Sequence, residues 1–173
     1  MKKFLALFIT VVLNTSCDDG EITLKSFNFE NQSVQKCSTK PIVLKTNDEE
    51  LLLINFTNDS DYEAAFLGEE TGDTPRVFPI SSSIQVIYRK YSANVNYQTT
   101  ICSDLPPATP TVKKEWTASG GNIIIETNNI YDTDGVTVIE FTHNITFENI
   151  NFEGSEDSFS FTSYIFGDFT TPN

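Results

Sequence analysis

The chemistry open to this chain rests on three cysteines, one histidine and 24 acids. A Ser-His-Asp or Cys-His nucleophile would have to recruit His143, because no other histidine exists. His143 lies in the alternating run VIEFTHNITF, in phase with Ile139, Phe141, Ile145 and Phe147. That phase predicts a core histidine rather than a base facing substrate. No G-x-S-x-G, H-E-x-x-H or P-loop spacing occurs, and one histidine with scattered cysteines leaves no zinc set. The expectation is a protein without catalytic residues or cofactors, and not an enzyme.

Two residue types could still hold a ligand. In YDTDG, Asp132 and Asp134 stand before Gly135 as at the start of a calcium loop, yet Glu140 falls short of the closing bidentate position. Asp-Gly between alternating segments is also the strongest short hairpin signal. Asp132 and Asp134 are therefore calcium candidates whose competing reading is a turn, and the same choice applies to NDSD (58–61) and EGSED (153–157). Among the aromatics near strand ends, Trp116 and Tyr131 are the candidates for stacking on a sugar.

The N-terminus carries an address. Lys2 and Lys3 precede FLALFITVVL (4–13), an apolar run too short to span a bilayer, and Asn14, Thr15 and Ser16 lead into Cys17. This resembles a bacterial lipoprotein signal with its lipobox, although Asn14 and not Leu stands three places before the cysteine. Asp18, Asp19 and Glu21 resemble the start of lipoproteins from Bacteroidota-type bacteria, where such acids mark export to the cell surface. The resemblance implies a signal peptide over 1–16, a lipid on Cys17, a tether over 17–20, and an outer-membrane protein facing the surface or the periplasm. A diacylated cysteine anchors stably where one acyl chain does not. With Cys17 lipidated, Cys37 and Cys102 are left to pair in an oxidising compartment; the alternative is two buried thiols. Their union would close a loop worth about 4 kcal/mol in the chain-entropy model.

Charge narrows the partners. The net charge of −13 becomes −15 when Lys2 and Lys3 leave with the signal, 24 acids against 9 bases. Nucleic acid is excluded by the lack of a basic stripe, since YRKY (88–91) is only a strand fragment. A membrane reached through Cys17, a glycan or an envelope protein remain as partners.

These residues are expected to be carried by strands. Fourteen phenylalanines and recurring period-two alternation, without a long helical stripe, define an all-β chain. Strands are expected at EITLKSFNF (21–29), KPIVLK, LLLINF (51–56), SIQVIYRKY, NVNYQTTIC, VKKEWTA and NIIIETNNI either side of a Gly120–Gly121 turn, VTVIEFTHNITFENINF, and SFSFTSYIF. YEAAFLG is ambiguous between strand and helical turn. LPPATPT (105–111) must be extended, a crossover between two sheets of one domain over 21–173. About ten strands of uneven length predict an antiparallel β-sandwich, immunoglobulin-like or jelly-roll-like, with a lipocalin-like barrel as the alternative. The function expected is that of a lipid-anchored binding module, with a periplasm-facing assembly lipoprotein or a carrier of a small apolar ligand as alternatives.

Overall fold

The computed structural model describes residues 27–173. The strands are β1 (Gln35–Lys36), β2 (Ile42–Asn47), β3 (Glu50–Phe56), β4 (Arg76–Pro79), β5 (Ile84–Tyr91), β6 (Val112–Tyr131), β7 (Val138–Gly154) and β8 (Ser158–Pro172), with short helices α1 (Asp59–Ala65) and α2 (Tyr97–Thr100). The all-β antiparallel class expected from the alternation is the class observed. The strands form one sheet in the order β1-β2-β3-β5-β6-β7-β8, curled into a half-barrel, and β4 pairs with β6 off that path. They are not divided between two sheets.

The reason lies in β6. Gly120 and Gly121 were expected to turn the chain, but β6 runs through them as a strand of 20 residues with register shifts between Ala118 and Asn122. Gly121 has φ +110°, and a Cβ there would meet Ile150 Cα at 2.7 Å and Asn149 O at 2.8 Å. Only glycine lets β7 pass that close, so the pair bends the strand instead of ending it. Before the bend β6 pairs with β5, and beyond it Asn122–Ile125 pairs with β4. One long strand thus serves both walls of the curl.

The apolar run LLLINF becomes β3, buried on both faces. Leu52, Ile54 and Phe56 point into the curl with Val43, Val86 and Tyr88, while Leu51 and Leu53 join Leu44 and Tyr91 outside. Val95, Tyr97 and Ile101, around α2, cover that outer layer. The segment was expected to be a strand. It takes a helical turn because the Asn96 side-chain oxygen accepts from the amides of Gln98 and Thr99. The sulfurs of Cys37 and Cys102 lie at bonding distance, with Cα atoms 5.3 Å apart, and fasten this cover to the sheet.

Other segments differ from their sequence reading for local reasons. Asn58 accepts from the Asp61 amide at 2.8 Å and starts α1, which resolves the ambiguous stretch as helix. The proline-rich 105–111 connects α2 to β6; since β5 and β6 are neighbours, it is a connection within one sheet rather than a crossover between two. Of the strand expected over 21–29, Phe27–Phe29 are described and are not strand. Phe27 instead packs its ring 4.9–5.9 Å from those of Phe29, Tyr88, Phe152, Phe159, Phe161 and Tyr164. The interior of the curl is filled by aromatic rings.

Candidate functional site

A half-barrel has two edges. Here they are β8 on one side and the β1–β2 hairpin on the other, and they are not hydrogen-bonded to each other among the described residues. Between them lies a cleft of about 690 Å³ lined by Glu30, Val34, Lys45, Tyr164, Ile165 and Asp168, among others. Ligand sites are typically concavities of about 300–1,000 Å³.

Lys45 forms the floor. On β2 it is in phase with Val43, a core residue, so alternation drives its stem inward. The residue is 3% exposed, its Nζ donates to Phe29 O at 2.9 Å, and the ammonium lies 5.8 Å from the Phe166 ring centre. Burial holds its pKa below the usual lysine value, with Asp168 pulling in the opposite direction. An ammonium has three donors; among the described residues one has a protein acceptor.

The β8 wall is shaped to approach it. Ile145 pairs with Gly167 and Thr146 with Ile165, leaving Phe166 as the extra residue of a bulge with its ring in the core. Gly167 has φ +123°, and a Cβ there would come 2.9 Å from Val34 Cγ2 and 3.1 Å from Lys45 Nζ. On the same wall the Tyr164 hydroxyl is buried and has no partner among the described residues. Burial, helped by the charge of Glu30, raises its pKa to about 12, so it is a phenol able to donate at neutral pH. Ile165 stands 74% exposed. The cleft therefore holds one buried cation and one buried phenol below carboxylates at Glu30 and Asp168.

The residues singled out in the sequence lie elsewhere. Cys17 and the whole signal and tether fall outside the described residues. Asp132 and Asp134 sit in the β6–β7 turn, where the Asp134 carboxylate accepts from the amides of Val136 and Thr137 at 2.8 Å and from the Thr137 hydroxyl at 2.6 Å. These bonds hold the Asp134 pKa below the usual carboxylate range. Asp132 accepts from the Thr133 amide at 2.7 Å. The two acids build their own turn, and no group of three or more His, Cys, Asp or Glu that could hold a metal occurs among the described residues.

Trp116 is 3% exposed: its ring stacks on Tyr88 at 5.0 Å, Gly154 leaves no room for a Cβ against it, and Nε1 donates to Asp157 at 2.6 Å. It offers no face to a sugar. Tyr131, at the far end of β6, is exposed and alone, its hydroxyl accepting from Asn129 at 3.3 Å. His143 is buried between Thr127 and Thr171, each 2.9 Å from a ring nitrogen.

Lys45 was missed, although a lysine in phase with a core valine in IVLKTN is a visible signal. Nothing in SFSFTSYIF sets Tyr164 apart from the chain's other aromatics. Nothing in the sequence marks that β2 and β8, more than a hundred residues apart, face one another. No family model, curated protein or solved structure matches the chain. The site is therefore defined by its own chemistry.

Proposed function

We propose that this chain is a lipid-anchored binding module of the bacterial envelope, tethered through Cys17 and engaging its ligand at the cleft between the sheet edges. The observation that carries the reading is that the buried Lys45 ammonium and the buried Tyr164 hydroxyl line one concavity, two donors short of protein acceptors among the described residues. Buried polar groups without partners are costly to keep. A ligand that accepts from both relieves that cost.

Catalysis has less support. His143 has both nitrogens engaged by threonines and is not among the residues that line the cleft. The carrier alternative has less as well, because aromatic rings occupy the space an apolar ligand would need. Of the ligand classes considered, the buried Trp116 weakens the glycan reading and the turn-bound Asp134 weakens the calcium reading.

The tether is tested by a Cys17→Ser variant, fractionated beside the wild type, with protease added to intact cells. The proposal expects the wild type in the membrane fraction and the variant released. Shaving of the wild type places the module outside the cell; protection places it in the periplasm and favours an assembly role. A variant that stays with the membrane as firmly as the wild type overturns lipid anchoring.

A further inference from the structure

We propose that the cleft receives an extended peptide that ends in a free carboxylate, the carboxylate resting on Lys45 and Tyr164 while the preceding residues add a strand to β8. This rests on the reading of the cleft as the binding site and names the ligand class.

The edge supplies the first argument. β8 hydrogen-bonds to β7 on one side, and its other side borders the cleft from Ser163 to Asp168. Edge strands are usually guarded by charge, proline or a covering segment. From Ser158 to Gly167 the strand SFSFTSYIFG has no charged residue and no proline. In a chain of net charge −13 such a neutral stretch is one where an added strand meets little repulsion. Strand addition uses main-chain hydrogen bonds for affinity and side-chain pockets for selection.

The floor supplies the second. Among the described residues Lys45 is the one cationic side chain lining the cleft, it is 3% exposed, and one of its three donors meets a protein acceptor. Tyr164 adds a second buried donor. Two buried donors lining one cleft match an anion with two oxygens, and a chain-terminal carboxylate carries that anion on the same backbone that pairs with the edge.

The rim supplies the third. Glu30 and Asp168 are exposed carboxylates beside the cleft. They complement lysine or arginine side chains on the residues before the terminus and repel acidic ones. The occupant that fits is a basic C-terminal tail of a protein partner.

The test uses ¹⁵N-labelled protein carrying residues 18–173 and three degenerate hexapeptide pools rich in lysine: one with a free C-terminal carboxylate, one amidated, one backbone N-methylated. The inference expects the free-carboxylate pool to shift the amides of Ser163–Asp168, and at least tenfold weaker binding for each of the other two. Lys45→Met should lose the response; because that variant can fail to fold, the amidated and N-methylated pools on the wild type carry the decision. Equal binding of the amidated pool overturns the carboxylate anchor, and equal binding of the N-methylated pool overturns strand addition. If all peptides are silent while glucuronate or a sialic acid shifts the same amides, the peptide inference fails and the cleft still binds. Silence of every probe at millimolar concentration removes both.

Discussion

The Thr127 hydroxyl lies 2.9 Å from His143 Nδ1 and 2.8 Å from Arg76 Nη1. A guanidinium only donates, so the Thr127 hydroxyl accepts from Arg76 and is shared with the imidazole. His143 Nε2 lies 2.9 Å from the Thr171 hydroxyl, so both ring nitrogens are engaged by threonines.

Acid should break this arrangement. Burial, with Arg76 and Lys36 nearby, lowers the His143 pKa from 6.5 to about 4. Between those values the unfolded chain binds a proton that the folded chain refuses, so stability is full above pH 6.5 and falls as the pH drops toward 4. The loss is on the order of 2–3 kcal/mol. Urea midpoints at pH 7, 5.5 and 4 should show it, and His143→Gln should flatten that part of the slope. An identical slope in the variant would contradict the assignment.

Gly167→Ala should be more costly than Gly135→Ala. Both glycines have positive φ, but a Cβ at 135 meets nothing within 4 Å while one at 167 meets Val34 and Lys45. Strain alone costs about 1 kcal/mol, and the added overlap brings Gly167→Ala to about 2–4 kcal/mol. Equal losses of denaturation midpoint in the two variants would mean that the β8 wall does not approach Lys45 as described.

Removal of the disulfide by the double change Cys37→Ser and Cys102→Ser should lower stability by about 4 kcal/mol. The loosening should concentrate where the cross-link acts, in the cover formed by Val95, Tyr97 and Ile101. Hydrogen exchange should therefore rise around α2 before it rises in β7. Uniform acceleration across the sheet would contradict that placement.

Asp134→Ala should cost about 1 kcal/mol by removing hydrogen bonds within an exposed turn. Millimolar calcium should leave the melting temperature of the wild type unchanged. A calcium-dependent rise that the variant abolishes would reinstate the metal reading.

Much of this fold is legible in its alternation. Phe141, His143, Ile145 and Phe147 are buried as their shared phase requires, and Ile139 departs because it lies near the open end of β7, 44% exposed. Turns at 132–137 and 154–157 follow from their Asp and Gly residues. What stayed hidden depends on contacts distant in sequence. Gly120–Gly121 carries the signature of a turn, and only the approach of Ile150 makes it a bend in a continuous strand. Asn96 caps a helical turn in a stretch whose composition suits a strand, because the disulfide and the apolar outer face of β3 hold it across the sheet. The site was least legible: Lys45 gains its meaning from Gly167, brought to it by the curl, and from Tyr164 on the same cleft.

Ligand is proposed to meet the protein at the cleft between the sheet edges. The most direct test is photo-crosslinking in cells of the source organism, with p-benzoylphenylalanine replacing Ile165 at the cleft rim or Val77, which is 56% exposed on β4 and outside the cleft lining. One discrete adduct is expected from position 165, lost on adding excess free-carboxylate peptide, and none of that size from position 77. The same adduct from both positions, or from 77 alone, would contradict it.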